Sequence, residues 1–113
     1  MSRLELLTTL EKGKLRKVKA RMVREALRTG ACDRGNHAVI VSDLNIRFFY
    51  RGVAMARISI DTLAIDYPLV GEYERTASTS YHRKTIGEAI VEIKQLLKKE
   101  TIAEIQNVLE REA

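Results

Sequence analysis

The spacing of apolar residues changes twice along this chain, and that change limits the fold more than any single motif. Up to Arg28 they recur at steps of three and four: Leu4, Leu7 and Leu10, then Leu15, Val18, Met22 and Ala26. That period belongs to helices with one apolar side. From Ala38 onward the apolar stretches are short and rich in β-branched residues. Ala38-Val39-Ile40-Val41 is the first, and Ile46 to Tyr50 then alternates with Ile46, Phe48 and Tyr50 on one face. Val53 to Ile60 and a shorter piece from Leu63 to Tyr67 follow, the latter closed by Pro68, which cannot donate to a ladder. Helical spacing returns in Ile86, Ala89, Ile90, Ile93 and Leu97, and again in Ile102, Ile105, Val108 and Leu109. Helices segregated at both ends of a run of strands make an α+β fold. The 113 residues suit a single core. We expect one domain over 1–113, with two helices in 1–29, an antiparallel meander of three to five strands in 37–82, and one or two helices in 85–112.

The punctuation agrees with this division. Ser2-Arg3-Leu4-Glu5 reads as a capping box, in which the Ser2 hydroxyl accepts the Glu5 backbone N–H. Gly13 permits a break, a second helix is predicted from Lys14 to Arg28, and Gly30 suits its C-terminal cap. Residues 30–36 read as a loop, and Ser42-Asp43-Leu44-Asn45 as a turn. Residues 72–82 read as an edge strand or a loop. Thr85-Ile86-Gly87-Glu88 and Thr101-Ile102-Ala103-Glu104 both carry the capping-box pattern, so either a fresh helix starts at Thr101 or one long helix passes through it.

Charge is concentrated. Between Glu11 and Arg28 lie eight basic and two acidic side chains, a net +6, against +5 for the whole chain. On a helix from Lys14 to Arg28, Lys14, Lys17, Arg21, Arg24 and Arg28 fall in a sector of roughly 80°, opposite Leu15, Met22 and Ala26. Such a stripe is either a solvated face or a contact for a polyanion, because aligned like charges repel mildly. The first expectation is therefore a binding protein whose basic helix engages nucleic acid or an acidic protein surface, with those five residues on phosphates. A second candidate is an anion or small-nucleotide site. Thr79, Ser80, His82, Arg83, Lys84 and Thr85 precede the predicted C-terminal helix, where free N–H groups favour anions. Arg51 and Tyr73 would add a cation and a ring from the sheet. Arg47, Tyr50 and Arg57 add similar groups, though tyrosines packed in the core would look alike in sequence. A third is a homo-oligomer built through Ile102, Ile105, Val108 and Leu109, a common remedy for a domain of this size.

Chemistry is sparse. His37, His82 and Cys32 are too scattered for a zinc site, and no phosphate loop or dinucleotide fingerprint occurs. Arg75 and His82 lie in a segment read as strand or loop, and Glu92 and Lys94 in a helix where neighbours two apart diverge. Asp61, Asp66, Glu72 and Glu74 read as solubilising turn and strand-end charges. The expectation is no enzyme, no metal and no cofactor. A lone cysteine excludes an internal disulfide and suits a reducing compartment. No apolar run has the length of a membrane span, so no membrane contact is expected and a cytoplasmic location is.

The run Phe49-Tyr50-Arg51-Gly52-Val53-Ala54-Met55-Ala56, then Leu63-Ala64-Ile65, then Tyr73-Glu74-Arg75-Thr76-Ala77-Ser78-Thr79-Ser80 and Ile86, resembles small uncharacterised bacteriophage and prophage proteins. Those carry an aromatic-x-Gly turn between strands, then Tyr-x-x-Thr-x-Ser/Thr before a helix, and usually Asn after the Ile, where this chain has Gly87. The resemblance implies a phage origin, a bacterial host cytoplasm and a compact sheet followed by a helix. It also implies a modulator or inhibitor of a host system, including a defence system, as a class, so that the partner of the basic helix would be an acidic host protein or a host complex bound to nucleic acid.

Overall fold

The computed structural model describes residues 1–68 and 77–112. Two helices come first, α1 (Arg3–Lys12) and α2 (Val18–Thr29). Five strands follow, β1 (Ala31–Arg34), β2 (His37–Ser42), β3 (Asn45–Tyr50), β4 (Val53–Ser59) and β5 (Ile65–Asp66), and then one helix, α3 (Ala77–Glu112). The strands form a single antiparallel sheet in the order β1-β2-β3-β4-β5, each beside its sequence neighbour. The architecture is the expected α+β arrangement.

Local chemistry accounts for most boundaries. Ser2 caps α1, its hydroxyl accepting the Glu5 N–H at 3.1 Å. Gly30 ends α2 with φ 99°, a left-handed value that glycine adopts without steric cost. The registers leave two-residue turns at Gly35-Asn36, Asp43-Leu44 and Arg51-Gly52. In the last, both central residues have positive φ, 50° and 78°, the combination that matches the twist of a tight hairpin. Opposite β3, Met55 is the extra residue of a bulge between the Phe48–Ala56 and Phe49–Ala54 pairs, and its side chain is buried.

One core joins helices and sheet. Leu6 and Leu10 of α1, Val23 and Leu27 of α2, Val39, Ile46 and Ile58 of the sheet, and Ile86, Ile90 and Ile93 of α3 are all buried in it. The alternation predicted for β3 holds: Ile46 and Phe48 face this core while Arg47 is exposed. The opposite sheet face carries Ile40, Arg47 and Arg57, with Arg47 directly across from Arg57.

Four boundaries differ from the sequence reading. Residues 31–34 are not loop but β1, whose pairing with β2 supplies backbone partners that local turn composition does not reveal. The second helix starts at Val18, not Lys14. Leu15 is buried in the connector ahead of it, and an acid from a distant helix caps the start, as described below. Residues 77–82 are helical, so the edge-strand or loop reading fails there, while 72–76 lie outside the described residues. Thr85 and Thr101 are not caps but helix-interior residues, because each turns its hydroxyl back to a preceding carbonyl, of His82 and Leu97 respectively. The result is one 36-residue helix, about 54 Å long at 1.5 Å per residue, which sets the 59 Å long dimension of the molecule.

Candidate functional site

The five-residue basic stripe is not a single surface. Lys14 lies in the connector between α1 and α2, and Lys17 is the residue before the first turn of α2, so only Arg21, Arg24 and Arg28 ride on the helix. Two of the five have carboxylates of the same chain. Arg28 is held by Glu11 at 2.8 Å and Glu25 at 2.7 Å. The hydrogen bond and charge of Glu11, then the charge of Glu25, raise its already high pKa. Lys17 lies 3.7 Å from Glu88 of α3.

The start of α2 is occupied by Glu92. Its two carboxylate oxygens accept the backbone N–H groups of Arg16 and Lys17, each at 2.9 Å. A carboxylate here meets both the free donors and the positive end of the helix dipole. The connector lies directly on α3: a Cβ added at Gly13 would come 2.6 Å from Leu96. This docking makes a groove of about 380 Å³ lined by Lys14, Arg16, Glu92, Gln95, Leu96 and Lys99. Arg21 adjoins it, its guanidinium donating to the Arg16 carbonyl at 3.3 Å. Among the described residues no salt bridge engages Lys14, Arg16, Arg21, Arg24 or Lys99. Lys14, Arg16, Arg21 and Lys99 are exposed, while Arg24 is half-buried. The groove thus gathers three cations and one acid whose oxygens are already committed to backbone donors.

The residues predicted for an anion or nucleotide do not meet in one place. Because α3 starts at Ala77, Arg83, Lys84 and Thr85 lie within the helix, where their N–H groups belong to the ladder. Thr79 and His82 are buried, whereas Ser80 and Lys84 point to solvent. Arg83 stacks on Tyr67, 5.3 Å from the ring centroid, and donates to the Pro68 carbonyl at 3.3 Å. Arg51 lies 5.4 Å from the centre of the Tyr50 ring. Tyr73 lies outside the described residues.

What the fold does assemble around His82 is a polar cluster. The His82 ring is 4.1 Å from that of Tyr50 and 5.0 Å from that of His37, centroid to centroid. Lys19 enters from α2, its ammonium donating to the Thr85 hydroxyl at 2.7 Å. Burial holds the pKa of Lys19 below its ordinary value. Burial, and then the charge of Lys19, hold both histidines below theirs, with His37 adding to the effect on His82. His82 is 7 % exposed and its Nδ1 has no hydrogen-bond partner among the described residues. The cavity beside these rings is about 10 Å³, room for a single water.

Ile102, Ile105, Val108 and Leu109 are exposed along the last part of α3 (46 %, 55 %, 49 % and 60 %). Sequence reasoning missed Arg16 and Lys99, which a helical projection from Lys14 separates from the stripe. It also missed Lys19, although a signal was present: on that projection Lys19 falls among Leu15, Met22 and Ala26, a lysine on the apolar side that needs a polar partner. Among the described residues no group of three or more His, Cys, Asp or Glu side chains gathers as metal ligands. Nor is any helix among them long and apolar enough to cross a membrane. No protein-family model, curated protein or solved structure matches the chain.

Proposed function

We propose that this protein is a non-enzymatic binding protein for a phosphate-bearing polymer, nucleic acid, engaged at the groove between the α1–α2 connector and α3. The observation that carries the reading is the convergence of Lys14, Arg16 and Lys99 on one groove, with Arg21 beside it and no salt bridge to these four among the described residues. Repulsion among unpaired cations is relieved by a polyanion, and Gln95 offers an amide to a phosphate or sugar. Compared with the sequence expectation, the site keeps Lys14 and Arg21, adds Arg16 and Lys99, leaves out Arg24, which is half-buried and does not line the groove, and gives up Lys17 and Arg28 to internal ion pairs. Small-nucleotide binding has less support, since its predicted residues share no cavity among those described. The resemblance to phage proteins extends the proposal to a host complex already loaded with nucleic acid.

Fluorescence anisotropy with single-stranded and duplex oligonucleotides at several salt concentrations tests this reading. Three or four phosphate contacts predict a log–log salt slope of about −3 on duplex DNA. Lys14→Glu with Arg16→Glu should abolish binding, whereas Arg28→Gln should leave it nearly intact. Absent binding, or binding indifferent to salt, overturns the proposal.

A further inference from the structure

We infer that the last part of α3 is a self-association surface, and that two copies pair through it antiparallel. Three observations lead there. Every described residue from Thr101 to Glu112 is exposed, and although Thr101 and Glu104 still line a cleft with Leu4, Glu5 and Thr8 of α1, the helix projects past the body of its own chain. Its apolar side chains also point elsewhere. At 100° per residue, Ile102, Ile105 and Leu109 centre about 120° around the helix from the docked stripe of Ile86, Ile90, Ile93 and Leu97, while Val108 keeps the angle of that stripe. No continuation of the core of the same chain would cover them. The third observation is charge order. Lys98 and Lys99 precede the stripe and Glu110 and Glu112 follow it, while Glu100 and Arg111, which break that order, fall on the far side of the helix at 100° per residue.

Charge order selects the occupant and its direction. A parallel pair would set Lys98 and Lys99 beside their own counterparts. An antiparallel pair, about a twofold axis between Ile105 and Gln106, brings Ile102 level with Leu109 of the second copy. It also places Lys98 near Glu112 and Lys99 near Glu110 of that copy. The contact is isologous and closes on itself as a dimer. Pairing also accounts for a helical segment without tertiary support carrying an apolar stripe, since short helices in water are marginal unless such a face is covered. With three apolar side chains per copy on the pairing face the interface is small, and its dimer is concentration-dependent.

Sedimentation equilibrium of the full chain without nucleic acid tests this. A mass approaching twice the 12.9 kDa of one chain is expected as concentration rises. Ile102→Ser with Leu109→Ser should return a monomer of unchanged far-UV circular dichroism. Lys98→Glu with Lys99→Glu should weaken association at least tenfold, and adding Glu110→Lys with Glu112→Lys should restore it. Thr101→Cys, in a Cys32→Ser background, should form no disulfide across the dimer, because antiparallel pairing holds the two positions apart. A monomer at every soluble concentration, a dimer that survives the double serine substitution, or ready cross-linking through position 101 each overturns the inference. Lys99 also lines the proposed polyanion groove, but Ile102 and Leu109 do not, so the serine variant separates loss of pairing from loss of nucleic-acid binding.

Discussion

The two halves of α3 share one continuous backbone ladder and carry similar densities of isoleucine and leucine, yet they are held in place by different things. From Thr79 to Leu97 the helix is anchored three ways. Ile86, Ile90 and Ile93 are in the core, Glu92 caps α2, and His82 packs on Tyr50 and His37. From Thr101 onward every described residue is exposed. The difference lies in the phase of the stripe rather than its composition. A rotation of about 120° separates side chains that complete a core from side chains left for a partner.

Substitutions along α3 should expose that contrast. The largest effect is expected at Ile93, which is fully buried: Ile93→Ala should lower unfolding free energy by about 3 kcal/mol in chemical denaturation. Equal costs at Ile93 and Ile105 would erase the distinction between the halves. Next comes Glu92→Ala, which strips the start of α2 of its acceptor and should cost about 1 kcal/mol. The same change removes an acid from the cationic groove, so oligonucleotide affinity should rise as stability falls, and the two readouts moving together would count against both roles. A smaller effect concerns acid. The fold holds His37 and His82 below the ordinary histidine value of 6.5, so below that pH the unfolded chain binds more protons than the folded one. Stability should therefore fall as pH drops from 6.5 toward the depressed folded values, and His82→Phe should flatten that slope. Denaturation midpoints measured on either side of pH 6.5 check it. The smallest effect belongs to the exposed half: Ile105→Ser should change the stability of the monomer by no more than about 0.5 kcal/mol.

Much of the frame was legible from residue spacing. Leu10 in the core, the Ile46–Phe48 alternation, the Ser2 cap and the Gly30 stop all depend on neighbours within a few residues, which is the range over which sequence patterns report. The phase of α1 was misread, since Leu6 is buried while Leu4 is exposed and Leu7 only partly covered. The short strand β1 was not legible, since Ala31-Cys32-Asp33-Arg34 has neither apolar alternation nor β-branched residues and is a strand only because β2 lies beside it. The start of α3 was misplaced for a related reason: threonine patterns at Thr85 and Thr101 mimic caps, and only the observed hydroxyl-to-carbonyl bonds distinguish interior from end. At the candidate site, the sequence located the excess cations but not their availability. Whether Arg28 is free depends on Glu11, seventeen positions away, and Lys17 on Glu88.

By itself, then, the amino-acid order determined the periods, and through them the helix–sheet–helix layout and the concentration of positive charge before Arg28. Those are consequences of backbone geometry repeated over short distances. Tertiary structure alone decided which charges face solvent, which histidines meet Lys19, and which stripe of α3 is docked. Each of these is set by contacts between elements far apart in the chain, and no local period encodes the angle at which one helix settles on another.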